Sequence, residues 1–230
     1  MEIQALPLEI ISAFQDLDTP SVSDAMDRLG ILCALFDIKP VVPGTKLCGQ
    51  AFTVHYTACG QVKGTVGDFL DDVQPGQVVV IDNGGRRDCT VWGDIMSLCA
   101  AHKGIAGTVI DGVCRDLPVI RELGYPVFSK GFYMSTGKDR VYADQVGGPV
   151  TVSGLQVLPG DILLADDSGA VVIPRTWAEK VLETARGIAS VEDQIMARVK
   201  KGCSLKEARE ILGYHTLQTR IDKEQTASHA

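Results

Sequence analysis

An α/β domain followed by a helical C-terminal extension is the architecture this sequence predicts, on three observations. Apolar, β-branched runs alternate with segments of helical periodicity as far as Phe128. Turn residues at short intervals then break up a β-rich stretch from Pro149 to Ile173. Two capping boxes, Thr176-x-x-Glu179 and Ser204-x-x-Glu207, open helices towards the end. No internal repeat or linker divides the chain, so residues 1–200 read as one domain and 201–230 as its extension.

Taken in order, the elements have local causes. Up to Gly30 the chain reads helix, turn, helix, with Thr19 and Pro20 as N-cap and first-turn proline and Gly30 as the stop. Gln50–Tyr56 reads as a strand and Lys63–Leu70 as a helix. The run Val78-Val79-Val80-Ile81, introduced by Gln74-Pro75-Gly76 and ended by Asp82-Asn83-Gly84-Gly85, reads as a buried strand. Trp92, Ile95, Met96, Cys99, Ala100 and Lys103 recur at helical spacing, and Gly104 ends that helix. Gly107–Ile110 is a strand, Leu117–Leu123 a short helix stopped by Gly124, and Pro126–Phe128 a further strand. Strand-like alternation over Pro149–Leu158 breaks at the turn Leu158-Pro159-Gly160-Asp161 and resumes in Ile162–Ala165 and Ala170–Ile173. The first capping box opens a helix to about Val199, and the second opens Leu205–Leu212 before Gly213. The last ten or so residues are polar and read as a frayed end.

Composition narrows the class of function. Of 230 residues, 45% are hydrophobic and 22% charged, ordinary for a soluble globular protein. No apolar run approaches the roughly 18 to 20 residues that a membrane-spanning helix needs. Met1-Glu2-Ile3-Gln4 lacks the basic start and apolar core of a signal peptide, so a cytoplasmic protein is expected. A net charge of −7 and a pI near 5.1 argue against a nucleic-acid binder, which needs a basic face against phosphates. Seven cysteines, an odd number without any C-x-x-C pair, argue against a disulfide framework or a structural zinc. Cys114 stands beside Arg115–Asp116, but no histidine lies near it in sequence, so packing is favoured over a nucleophile's role.

The stretch that carries chemistry is Gly93-Asp94-Ile95-Met96, then twenty residues after Asp94, then Arg115-Asp116. Asp94 falls in the first turn of one helix, and Arg115 and Asp116 in the loop between a strand and the next helix. Ligands in α/β sheets settle at such loops, at the carboxyl ends of the strands. Asp116 is a hard oxygen ligand for Mg²⁺ or Mn²⁺, which keeps several waters. Arg115 offers a fork of donors to a carboxylate or an enolate oxygen. The N–H groups of Gly93–Met96, at a helix start, favour an anion, and Asp94 can orient a metal-bound water. Each residue also has a plainer role: Asp116 as a helix cap, Asp94 as a complement to the helix dipole, and Arg115 as a solvated cation.

The Gly93-Asp94 pair, the D-x20-R-D spacing and the phrase Val109-Ile110-Asp111-Gly112-Val113-Cys114-Arg115-Asp116 resemble the class II 4-hydroxy-4-methyl-2-oxoglutarate / 4-carboxy-4-hydroxy-2-oxoadipate aldolases of the RraA-like superfamily. The likeness runs from about Ser21 to Arg186 and takes in Val80–Gly85, Gly124–Phe128 and Pro159-Gly160-Asp161 through Val172. The Arg–Asp pair with its upstream Asp is the part similar to the aldolase branch; the ribonuclease E regulators lack the acidic residue after the arginine. The resemblance implies a compact β/β/α swivelling-type fold assembled as a homotrimer or homohexamer. It implies Mg²⁺ or Mn²⁺ bound by Asp116 largely through waters, with Glu192 or Asp193 of a neighbouring subunit completing the shell. It further implies that Arg115 contacts substrate, while amides of Gly93, Asp94, Ile95 and Met96 hold the pyruvate end. The run Val191-Glu192-Asp193-Gln194 is less acidic than the family's, and the tail from Gly202 departs from it.

The function expected is a metal-dependent lyase on a small 2-oxo acid: retro-aldol cleavage through a pyruvate enolate, with oxaloacetate decarboxylation through the same enolate. Two alternatives stand beside it: a protein-binding regulator without chemistry, and a dehydratase-type enzyme on a sugar acid. Asp82–Arg87 reads as an anion-binding loop or a turn with solvated arginines. His55 and His102 have structural readings, and the pair Tyr214-His215 reads either as lining a site or as packing. No G-x-G-x-x-G, Walker A or H-E-x-x-H motif is present.

Overall fold

The computed structural model describes residues 6–217 and residue 219; the expected frayed end lies outside them. The chain opens with α1 (Leu8–Gln15) and α2 (Thr19–Leu29). Asp18, one residue before the expected cap, closes the start of α2 by accepting from Ser21 N at 2.8 Å. Thr19 is thereby released for another task. Its N–H and hydroxyl donate to the Asp166 carboxylate at 2.8 and 2.7 Å, tying the helix to a strand far along the chain.

The strands that follow are β1 (Lys39–Pro40), β2 (Leu47–Ala58), β3 (Val78–Thr90), β4 (Gly107–Val113), β5 (Val127–Ser129), β6 (Val141–Val146), β7 (Val150–Val152), β8 (Leu155–Val157), β9 (Ile162–Asp166) and β10 (Gly169–Ile173). Helices α3 (Asp94–His102) and α4 (Leu117–Leu123) lie between β3, β4 and β5; α5 (Ala178–Lys200) and α6 (Leu205–Ile211) end the chain. The main sheet runs β1-β5-β4-β3-β2-β9-β10, with β6 antiparallel to the far half of β2. Strands β2, β3, β4 and β5 are parallel neighbours, as expected where helices α3 and α4 make the crossovers. Segment 33–41 joins the two edges: Leu35 N donates to Ala170 O, Val172 N to Cys33 O, and Val41 N to Val127 O. The sheet is therefore a nearly closed barrel, an α/β fold of the expected class with C-terminal helices.

Alternation along the strands builds the core on both faces. Val78, Val80, Val109, Phe128, Leu163 and Val172 meet in one cluster, while Val79, Ile81, Ile110 and Val127 pack with Ile120 of α4 and Ala100 of α3. Ile162, Leu164, Val171 and Ile173 lie under α1, α2 and α5. Each such side chain contributes about 1.5–3 kcal/mol by leaving water.

Four expectations need correction. Lys63–Leu70 is a loop that reaches only a short 3₁₀ turn at Asp68–Asp72; Gly64, Thr65, Val66 and Gly67 are poor helix formers. Strand β3 does not stop at Asp82 but continues to Thr90 through register shifts, with Gly84 and Gly85 in left-handed conformation. Pro149–Leu158 is not one strand but the hairpin β7–β8. Thr176 caps nothing: it lies inside the 3₁₀ turn Arg175–Trp177 rather than in the extended backbone an N-cap needs, and α5 begins behind Trp177 without a side-chain cap. The second capping box does form, with Ser204 Oγ accepting from Glu207 N at 3.2 Å. No helix among the described residues is long and apolar enough to cross a membrane.

Candidate active site

Parallel pairing of β3 with β4 brings the two motifs together. The chain leaves β3 through Trp92-Gly93 into α3, and leaves β4 through Arg115-Asp116 into α4, so both helix starts stand at neighbouring carboxyl ends. Arg115 N donates to Trp92 O at 3.0 Å, extending the pairing beyond the strands. Asp116 Oδ2 lies 3.2 Å from Arg115 Nε and accepts from Asp94 N at 3.4 Å. The twenty-residue gap in sequence is closed to hydrogen-bond distance.

Asp116 occupies the N-cap position of α4, yet its side chain makes no capping bond. Its backbone is left-handed, with φ 61°, a conformation that costs a non-glycine residue about 1–2 kcal/mol. The carboxylate turns instead towards Gly93, where a Cβ would stand 2.5 Å from Asp116 Oδ2. Glycine is required there by that close approach, since its own φ of −155° is ordinary extended backbone. Behind it, buried Trp92 donates Nε1–H to Ser97 Oγ at 2.8 Å, and Ser97 Oγ donates to Gly93 O at 2.8 Å. Trp92 also stacks on Tyr125. The glycine is thus fixed from its core side.

A cavity of about 450 Å³ opens in front of this corner, lined by the loop Gly64–Asp68, by Thr90 to Met96, and by Arg115, Thr136 and Lys138. On the other side of Arg115 a second hollow, about 400 Å³, is walled by Asp116, Leu117, Phe132, Tyr133 and Met134. Gly93, Asp94, Ile95, Met96 and Arg115 therefore share one cavity, with Asp116 behind the arginine. Asp94 turns Oδ1 to the amide of Ile95 at 2.7 Å. Glu192 and Asp193 do not line this cavity. Burial, then the charges of Asp24, Asp18 and Asp193, push the Glu192 carboxyl up.

The remaining candidates have other partners. Cys114 is buried and its thiol is pushed up to about 11, chiefly by burial, so it is no nucleophile at neutral pH. Arg86 pairs with Asp88 and Arg87 with Asp37. His55 Nδ1 meets Asp144, His102 Nδ1 meets Leu98 O, and Tyr214 carries Arg209 over its ring. Sequence reasoning missed Thr65, Asp68, Thr136 and Lys138. The first two were hidden inside the expected helix. The other two come from a wall held against β3 by Gly137, whose Cβ would collide with Thr90 O.

Among the described residues no three His, Cys, Asp or Glu side chains gather as a metal cluster. The donor set fits a hard cation held mainly by water: Asp116 Oδ1 makes no hydrogen bond or ion pair there, and its partner oxygen is already oriented.

The sequence model of the RraA-like family (Aldolase/RraA) matches residues 19–172. The chain belongs to the RraA-like family. Protein DlpA of Legionella pneumophila subsp. pneumophila is 37% identical over 227 residues, 97% of this chain and 37% of its own length; the chain thus spans little more than a third of that relative. A Halalkalibacterium halodurans protein named "Putative 4-hydroxy-4-methyl-2-oxoglutarate aldolase" is 32% identical over 181 residues, 78% of this chain and 83% of that one. Among solved structures, an uncharacterized protein from Pseudomonas syringae pv. tomato is 40% identical, with a TM-score of 0.85 over 90% of this chain and 100% of that one. The matched stretch contains β3, α3, β4 and α4, the elements that carry the Gly93–Arg115–Asp116 corner.

Proposed function

We propose that this RraA-like chain is a divalent-metal-dependent lyase that cleaves a 4-hydroxy-2-oxo acid, of the 4-hydroxy-4-methyl-2-oxoglutarate type, to a pyruvate enolate. The observation that carries the proposal is the Arg115–Asp116–Gly93 corner, where a carboxylate at a helix-cap position declines to cap and turns to Gly93, beside the arginine that lines both hollows. The name of the Halalkalibacterium relative supports the same class of reaction.

Asp116 would hold Mg²⁺ or Mn²⁺ through Oδ1 and waters, and the ion would supply Lewis-acid stabilisation of the enolate. Arg115 places a guanidinium between the two hollows, where it can donate to the 2-oxo oxygen as negative charge develops. Amides at the start of α3 would receive the carboxylate of the pyruvate end in place of the Asp94 and Asp116 oxygens that accept from Ile95 N and Asp94 N in the free protein. Lys138 on the far wall adds a second positive charge, which suits a substrate with a second carboxylate. Oxaloacetate decarboxylation needs the same enolate and is expected as a second activity.

Assembly as a homotrimer or homohexamer belongs to the same proposal. Ile95, Phe132 and Met134 beside the site are 78%, 67% and 74% exposed, an apolar surface suited to another copy. Glu192 or Asp193 of that copy would then complete the shell of metal-bound waters. The test is pyruvate release by Asp116→Ala: loss of turnover with an unchanged circular dichroism spectrum is expected, and unchanged turnover overturns the proposal.

A further inference from the structure

Arg115 and Asp116 stand in a loop, and the contacts that hold this loop to α3 lead back to one buried side chain. Arg115 N donates to Trp92 O at 3.0 Å, so the backbone of the arginine follows Trp92. Asp116 Oδ2 lies against Gly93, where a Cβ would stand 2.5 Å away, so the carboxylate follows Gly93. Trp92 and Gly93 are in turn both tied to Ser97, which has no exposed surface. Trp92 Nε1 donates to Ser97 Oγ at 2.8 Å, and Ser97 Oγ donates to Gly93 O at 2.8 Å.

The direction of both bonds is fixed by chemistry. An indole N–H only donates and a carbonyl oxygen only accepts, so the hydroxyl proton points to Gly93 O. Gly93 O also accepts from Ser97 N at 3.1 Å. The first turn of α3 therefore closes without the hydroxyl. What the hydroxyl adds is a link from that turn to the Trp92 ring. The ring stacks on Tyr125, and Tyr125 Oη shares a hydrogen bond of 2.9 Å with Thr108 Oγ1 of β4. Ser97 thus braces the start of α3 against the neighbouring strand, at the two residues on which Arg115 and Asp116 depend.

We infer that Ser97 is a positioning residue of the enolate-forming site, an inference that rests on the lyase reading above. Its hydroxyl holds Arg115 through Trp92 and Asp116 through Gly93, so that guanidinium and carboxylate keep one mutual arrangement. Ser97 does not itself line the cavity. Without the hydroxyl the buried indole N–H loses its acceptor, the ring shifts, and the corner shifts with it.

The experiment compares wild type with Ser97→Ala, with Ser97→Cys, which keeps the side chain's size but donates more weakly, and with Thr53→Val as a control. Thr53 is as deeply buried, and its hydroxyl donates to Gly148 O at 2.6 Å, but it does not line the cavity. Binding of Mn²⁺ is read by electron paramagnetic resonance, kcat by pyruvate release from oxaloacetate at saturating Mn²⁺, and stability by thermal unfolding. Ser97→Ala is expected to raise the Kd for Mn²⁺ and to lower kcat, each about tenfold or more, with Ser97→Cys in between. Thr53→Val lowers the melting temperature and leaves Kd and kcat as they are. If the two Ser97 variants lose melting temperature alone, as the control does, Ser97 is only structural and the lyase reading stands. If the wild type neither binds Mn²⁺ nor releases pyruvate, the lyase reading falls and this inference with it.

Discussion

At Gly93 a single methyl group would stand within 2.5 Å of Asp116 Oδ2. Gly93→Ala therefore leaves the backbone unstrained but displaces the carboxylate. We expect turnover to fall about a hundredfold, the order that misplacement near 1 Å produces, with the melting temperature nearly unchanged; steady-state kinetics and a thermal scan check both. Asp166 offers a pH-dependent effect at the same scale. Burial pushes its carboxyl up, but the Thr19 hydroxyl and N–H, the Ser168 N–H and the Lys46 charge outweigh burial and hold it below the usual carboxylate value. That contribution to stability is present above the unfolded-state value of about 3.9 and is lost as the pH falls through the lower folded-state value. Denaturant midpoints of Asp166→Asn are expected to vary less than those of wild type below about pH 4.

Helix α6 depends on its own cap. Ser204→Ala removes the acceptor for Glu207 N and is expected to cost about 1 kcal/mol, read as faster amide exchange over Leu205–Ile211. That cap was legible in the sequence because capping is local, as were Val78–Ile81, an unbroken β-branched run bounded by turn residues, and the helix starts at Asp94 and Leu117. Elements decided by distant partners were not legible. Thr176 falls inside a 3₁₀ turn that follows the Arg175 N bond to Asp161, and Thr19 is claimed by Asp166, which leaves Asp18 to cap α2. Val66, Phe69 and Leu70 stand at a spacing that imitates a helix, and only the contacts of the loop with Tyr56, Ala143 and Met96 give its true course. The reactive corner was readable because a motif names its residues; the opposite wall was not, because that loop and the Thr136–Lys138 segment join it only through the fold.

Over the whole molecule, closure of the sheet sets the site. Segment 33–41 couples β10 to β5 and so braces the parallel strands whose ends carry Gly93 and Arg115. Phe128, fully buried in the inner cluster, is expected to cost about 3–5 kcal/mol on truncation to alanine, seen as a lower denaturant midpoint. Sedimentation of the intact protein is expected to give the mass of three or six chains, with Phe132→Glu shifting it towards one. The central claim, a metal-dependent enolate-forming site at Arg115–Asp116, is tested most directly by pyruvate release. Protein stripped with EDTA is assayed on oxaloacetate and 4-hydroxy-4-methyl-2-oxoglutarate before and after addition of Mg²⁺ or Mn²⁺. Release from both substrates that returns only with the metal, and not in Asp116→Ala, is the result predicted; no release with any metal, or release indifferent to both metal and Asp116, contradicts the account.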